Sequence, residues 1–180
     1  MKYKQHLNNK EIYEIENFIT NAQINELLSF VNLNGDDGWL YSHPGSTISV
    51  IDDSKKTEFN KILKEIEESL HNYFINAETY VGLHCIRRLI TDESMSTHTD
   101  LGPTNENATM LFGIVIYLND NFEGGELYYS EFDYKIKPKK GSLVIHKSTY
   151  PHGVSKVIDG KRYCLTCFVL GNENTKTIFK

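Results

Sequence analysis

Two hydrophobic periods divide the chain. Between Thr20 and Val31 the apolar residues Ile24, Leu27, Leu28 and Val31 recur at helical spacing, and Thr20 with Gln23 forms a capping box that would satisfy the first backbone donors. A short strand pattern, Lys10 to Phe18, comes before this helix, and the turn Gly35-Asp-Asp-Gly38 ends it. A mixed segment carrying Trp39, Tyr41 and His43-Pro-Gly45 leads to a second helix from about Ser54. Its apolar face is Phe59, Ile62, Leu63, Ile66, Leu70, Tyr73 and Phe74. Each helix has a single apolar stripe, so each needs a surface to lie on.

From Tyr80 onward the pattern turns strand-like. Segments near 80–90, 109–118, 125–137, 142–147, 153–158 and 161–170 have strand character, broken by Asn119 to Gly125, Pro138-Lys-Lys-Gly141 and Asp159-Gly160. Helices followed by many short antiparallel strands predict an α+β, mainly β fold: a double-stranded β-helix, or jelly roll, buttressed by N-terminal helices. No repeat, low-complexity tract or linker interrupts it. One domain is therefore expected over 1–180, with 1–78 as helical support and 79–172 as the β core.

Composition and charge narrow the partners. The chain has 180 residues, 39% hydrophobic and 24% charged, which is ordinary for a globular protein. A formal net charge of −5 leaves no electrostatic footprint for nucleic acid. No apolar run approaches the roughly 18–20 residues of a membrane span, and the start, Met1 to Lys10, is polar; a cytoplasmic protein with no membrane contact is expected. Three cysteines do not make a disulfide framework. Cys164 and Cys167 form a C-x-x-C, but three residues apart on a strand they face opposite sides, which reads as buried thiols.

The chemically loaded residues lie in the β region. In His98-Thr-Asp100 an extended backbone turns His98 and Asp100 to one face, and His152 follows later in the same strand-rich half. Two imidazoles and a carboxylate are the ligand set of a facial metal site, which leaves open positions on the ion. Arg162 opens the last long strand, where a planar guanidinium suits a carboxylate. Tyr117 ends the Ile114 to Tyr117 strand and offers a ring with one hydroxyl to the same anion.

With these residues in order, the chain resembles the 2-oxoglutarate and Fe(II)-dependent dioxygenases of the prolyl 4-hydroxylase-like group. The resemblance runs through Ile15-Glu-Asn-Phe-Ile19, His98-Thr-Asp100, Ile116-Tyr-Leu-Asn119, Gly124-Gly-Glu-Leu127, Lys137 to Gly141, His152-Gly-Val154 and Gly160-Lys-Arg-Tyr163. It implies that His98, Asp100 and His152 bind Fe(II), that Arg162 holds the distal carboxylate of 2-oxoglutarate, and that Tyr117 helps to hold this co-substrate. It also implies O2 as oxidant, ascorbate as an accessory reductant, and hydroxylation of a C–H bond with release of succinate and CO2. Where many members carry a tyrosine, this chain has Leu89, so Arg87 or Arg88 is expected to rebuild part of the pocket. Lys161 is the alternative clamp, but neighbours on a strand point oppositely and the Arg-Tyr pair favours Arg162.

The leading substrate implied is a prolyl residue in a peptide or protein. Trp39 and Tyr41 are candidates to stack on its ring, within a substrate face formed by the segment Trp39 to Asp53 and the loop Leu101 to Ala108. A free amino acid or another small metabolite is the alternative, and a non-catalytic 2-oxoglutarate sensor is the alternative of another class. Nucleic-acid demethylation is disfavoured, because the second arginine of those relatives falls at Phe168. His6, His43 and His71 read as surface or loop residues. His84 and His146 read as hydrogen-bonded groups near the core, and Glu126 as part of a turn leading into a strand.

Overall fold

The capping box closes as its residues require. In the computed structural model, which describes residues 3–42, 45–73, 79–100, 103–105 and 108–172, Thr20 Oγ1 accepts from Gln23 N at 3.2 Å and Gln23 Oε1 accepts from Thr20 N at 3.0 Å. This opens α1 (Asn21–Ser29), whose Ile24 and Leu27 are buried. The helix ends before the Gly35 turn. Asn32 Oδ1 accepts from the backbone N–H groups of Asn34 and Gly35 at 3.0 and 3.1 Å, so the side chain supplies a local turn in place of a further helical one. The second helix, α2 (Lys56–Tyr73), buries Phe59, Ile62, Leu63, Ile66 and Leu70. Phe74, His43 and Pro44 lie outside the described residues.

The stretch read as helical support also contributes strands: β1 (Lys4–Gln5), β2 (Ile12–Ile15), β3 (Trp39–Ser42) and β4 (Ser46–Ser49). They join β5 (Thr79–Ile90), β8 (Ala108–Tyr117), β12 (Leu143–Lys147) and β15 (Lys161–Gly171) in one sheet, ordered β1-β2-β12-β8-β15-β5-β4-β3, with β7 (Pro103–Asn105) pairing β8. A smaller sheet, ordered β11-β10-β13-β6, is made by β6 (Met95–His98), β10 (Leu127–Tyr129), β11 (Tyr134–Ile136) and β13 (His152–Val154). A two-stranded ribbon pairs β9 (Glu123–Gly124) with β14 (Val157–Asp159).

Strand alternation assigns the two faces of the large sheet. On β8, Ile114 and Ile116 pack with α1 and α2 residues such as Ile24, Leu27, Ile62 and Ile66, while Val115 and Tyr117 face the small sheet. There they meet Leu127, Tyr129 and Ile136, together with Val144 and Cys164 of their own sheet. Two facing antiparallel sheets with helices on one outer face make the expected double-stranded β-helix. The strand expected at 125–137 is interrupted by a tight turn at Ser130–Phe132, after which Asp133 adopts φ 46°. The strand expected at 153–158 splits between the small sheet and the ribbon. The C-x-x-C thiols divide as expected, with Cys164 on the inner face and Cys167 against the helices. Among the described residues no helix is long and apolar enough to cross a membrane.

His6 departs from its reading as a surface residue. It is 3% exposed, with Nε2 2.9 Å from Glu14 Oε2 and Nδ1 2.8 Å from the Tyr134 hydroxyl, which ties β2 to β11. The hydrogen bond from His6, aided by the His6, Lys139 and Lys4 charges, holds the Glu14 carboxyl below its ordinary value against the opposing effect of burial. The folded state thus favours ionised Glu14. Its contribution is complete above the ordinary carboxylate range and is lost as pH falls through the lowered folded value. The melting temperature should fall between about pH 5 and pH 3, and Glu14→Gln should flatten that fall. Superimposable acid profiles for the two proteins would contradict the assignment.

Candidate active site

β6 and β13 are antiparallel neighbours in the small sheet, and their register sets His98 directly opposite His152. The rings lie side by side, centroids 4.5 Å apart. Asp100 follows just beyond the end of β6, its backbone N–H donating to Ser148 O at 3.0 Å, which pins it to the turn after β12. His98 Nε2 is 3.6 Å from Asp100 Oδ1, and His152 Nε2 is 3.5 Å from Asp100 Oδ2. One ligand atom from each of the three residues falls within 4.8 Å of the other two. These separations are long for hydrogen bonds but fit an ion bonded at about 2 Å to each atom.

The protonation pattern of the imidazoles follows from their partners. His98 Nδ1 lies 2.9 Å from Ser96 O, and His152 Nδ1 lies 2.9 Å from Tyr150 O. A carbonyl only accepts, so each Nδ1 carries a hydrogen, and it is the neutral form of each ring that turns an Nε2 lone pair toward the shared centre. Burial lowers the pKa of His152 against the pull of Asp100, which favours the neutral ring that a metal needs.

These residues line a small, partly open cavity of about 50 Å³ between the sheets. Arg162 is 2% exposed and belongs to the same lining. Its Nε donates to Gly125 O at 3.1 Å and its Nη1 to Cys164 Sγ at 3.2 Å, and among the described residues no carboxylate pairs with it. The guanidinium lies 5.3 Å from the centroid of the Tyr117 ring. The Tyr117 hydroxyl is fully buried, lacks a hydrogen-bond partner among the described residues, and has its pKa pushed up to about 12 by burial. Tyr117 is not among the residues lining the cavity; it backs Arg162, whose buried cation, without a carboxylate partner among the described residues, suits an anionic ligand. Lys161 points outward, its Nζ donating to Leu33 O.

Of the two arginines considered to rebuild the pocket, Arg87 lines the cavity and Arg88 does not. Arg88 lies on the helix-side face, bonded to Asp36 at 2.7 Å and stacked over Trp39 at 4.7 Å. Trp39 is a core residue rather than a substrate platform. It is 8% exposed, packs against Tyr163, and donates Nε1–H to Asn32 O at 2.7 Å, because alternation on β3 turns it toward the helices. Tyr41 is 75% exposed on the edge strand and is not among the residues lining the cavity. In the loop expected to face the substrate, Leu101, Gly102, Glu106 and Asn107 lie outside the described residues. Leu89 is buried with Met95, Val154 and Val157. Glu126 accepts a hydrogen bond from Ser155 and lies outside this cavity.

Sequence reasoning placed His146 near the core but missed the site. Its ring centroid lies 4.2 Å from that of His152, Nε2 is 3.9 Å from Asp100 Oδ2, and Nδ1 is buried without a partner among the described residues. Burial, then the neighbouring His152 and His98, drive its pKa well below the usual value. The signal was the parity of β12, which puts Val144 and His146 on the inner face. Tyr129 was missed as well; its ring packs against His146 and His152.

Comparison with known proteins points the same way. Residues 83–170 match the model of the 2OG-Fe(II) oxygenase superfamily. Over 58 residues the chain is 43% identical to human prolyl 3-hydroxylase 2, covering 28% of this chain and 8% of that protein, so it spans a small part of the curated relatives it matches. Among solved structures, the viral collagen prolyl hydroxylase of Paramecium Bursaria Chlorella virus-1, in its 2OG complex, superposes with a TM-score of 0.61 at 16% identity, covering 91% of this chain and 97% of that one. The Trichoplax adhaerens prolyl hydroxylase, in complex with a hypoxia inducible factor oxygen degradation domain peptide fragment, gives 0.65 at 19%, covering 91% and 84%. At these identities the likeness is one of fold.

Proposed function

We propose, from the match of residues 83–170 to the model of the 2OG-Fe(II) oxygenase superfamily, that the chain is a 2-oxoglutarate- and Fe(II)-dependent dioxygenase that hydroxylates a prolyl ring. The observation that carries this reading is one cavity holding both halves of the chemistry: three converging ligand atoms and, in the same lining, a buried arginine without a carboxylate partner among the described residues. Relatives and structural neighbours named as prolyl hydroxylases support proline as the target, and the neighbour with a bound peptide supports a peptide substrate.

In this reading His98, Asp100 and His152 would hold Fe(II), two imidazoles and one carboxylate being a donor set that suits it. The Ser96 and Tyr150 carbonyls fix the two imidazole tautomers, so the ligands are set before the metal arrives. Arg162 takes the distal carboxylate of 2-oxoglutarate, and Tyr117 supports that co-substrate from behind, its ring lying beneath the guanidinium. Bound iron and co-substrate supply the oxidation, in which 2-oxoglutarate and O2 become succinate and CO2 while a C–H bond of the substrate becomes C–OH. The apolar walls, Leu127, Val115, Met95 and Val154, exclude water and strengthen the charged contacts inside. All three thiols are free, which suits a cytoplasmic setting.

With Fe(II), O2 and ascorbate, the purified protein should convert 2-oxoglutarate to succinate, stimulated by a proline-rich peptide that gains one oxygen on proline. Amino-acid analysis then distinguishes 3- from 4-hydroxyproline. Binding of 2-oxoglutarate without turnover on peptides or free amino acids would favour a sensor instead.

A further inference from the structure

The chain has three arginines, and the fold gives each a different electrostatic position. Arg88 is neutralised by Asp36. Arg162 and Arg87 both line the cavity, and neither pairs with a carboxylate among the described residues. Arg162 has a use in the proposed reaction. Arg87 has none.

Arg87 is half-buried on β5, directly opposite Cys164 of β15, while Leu89 stands opposite Arg162. The two guanidiniums therefore start one side-chain step apart on the same face of the sheet. Arg87 then turns away from Arg162. Its Nε donates to Thr166 Oγ1 at 3.1 Å and its Nη1 to Ser46 Oγ at 2.7 Å, and Thr166 lies further along β15 from Arg162. Cys85 Sγ, 3.1 Å from the same Thr166 oxygen, fixes that hydroxyl in turn. The guanidinium is thus oriented by neutral groups that leave its charge uncompensated, an arrangement that costs free energy until an anion arrives.

The charges in the proposed complex identify that anion. A divalent metal, the Asp100 carboxylate, the two carboxylates of 2-oxoglutarate and Arg162 together sum to zero. Both co-substrate carboxylates are then engaged, one at Arg162 and one at the metal. Arg87 leaves one positive charge over, on a cavity wall it shares with Phe168 and Met95. We propose that Arg87 binds a carboxylate of the substrate, so that the hydroxylated residue carries a free carboxylate, as a free amino acid or the C-terminal residue of a chain does. The inference rests on the dioxygenase reading, and it selects among substrates of that same site. A planar guanidinium binds such a group through paired charge-assisted hydrogen bonds, which an amide cannot reproduce.

Ligand-observed NMR on protein loaded with Zn(II) and 2-oxoglutarate tests this without turnover. The probes are L-proline, a peptide ending in proline with a free carboxylate, and the same peptide as its C-terminal amide. The acid peptide or L-proline should bind about tenfold to a hundredfold more tightly than the amide, and whichever acid binds better identifies the source. Arg87→Gln should remove the acid preference, Arg87→Lys should restore part of it, and both should bind 2-oxoglutarate as the unaltered protein does. Equal binding of acid and amide, binding of no probe, or loss of 2-oxoglutarate binding in Arg87→Gln overturns the proposal while leaving the dioxygenase reading intact. Failure of the unaltered protein to bind 2-oxoglutarate with metal, measured before any probe is added, overturns both.

Discussion

Asp100→Ala should remove metal-dependent turnover and leave the fold standing. Asp100 supplies the sole carboxylate among the three converging ligand atoms, and it lies within 3.6 Å of both ligand imidazoles. Without it the site offers two imidazoles and no carboxylate to balance a divalent ion. Loss of an outer-shell partner typically costs about 10- to 100-fold in affinity or activity, so loss of the anionic ligand should cost more than a hundredfold. A reading independent of activity is thermal. At a metal concentration near a hundred times its dissociation constant, binding stabilises the folded state by about 2.7 kcal/mol, or about 5–10 °C in a domain of this size. The unaltered protein should show that rise and Asp100→Ala should show none, with the two metal-free melting temperatures close together. An equal metal-induced rise in both would move the metal elsewhere.

Gly113→Ala should have an effect nearly as large through a single methyl group. Gly113 lies on β8, where its extended backbone accepts alanine without strain and where glycine costs about 0.5–1 kcal/mol relative to alanine. A Cβ at this position would collide with Asp100 Oδ2 and lie 2.9 Å from His146 Nε2. The carboxylate has little room to yield, because its backbone is pinned to Ser148 O. The expected outcome is a protein that still folds without metal, destabilised by about 1–3 kcal/mol from the overpacking, whose metal affinity falls about 10- to 100-fold or more. Unchanged affinity would show that the carboxylate relocates freely and that the close approach of β8 does not position it.

The parts of this molecule that sequence disclosed are those governed by one local rule. The capping box at Thr20, the apolar stripe of α2 and the alternation of β8 and β15 each follow from spacing alone, and they assemble as read. His98 and Asp100 were legible because alternation places them on one face, and His152 because it completes a ligand set. What stayed hidden depends on neighbours distant in sequence. The β3–β4 hairpin is an edge element whose half-solvated residues include Leu40 at 58% and Tyr41 at 75% exposure, so its alternation does not sort apolar from polar. Trp39 offers a ring equally suited to a core or a ligand, and pairing with β4 decided for the core. His6 and His146 are polar residues buried by partners on other strands, Tyr134 and His152, which no local window contains. Arg87 and Arg88 are adjacent in sequence and opposite in space, so residue type alone could not divide their roles.

The central claim is that one cavity holds a divalent iron on His98, Asp100 and His152 and a 2-oxoglutarate carboxylate on Arg162. Anaerobic titration of the purified protein with Fe(II) and 2-oxoglutarate, followed by visible absorption, tests it most directly. A charge-transfer band that needs both metal and keto acid, absent in Asp100→Ala and shifted to higher 2-oxoglutarate concentration in Arg162→Ala, is the predicted result. Absence of a metal-dependent band in the unaltered protein would contradict the account.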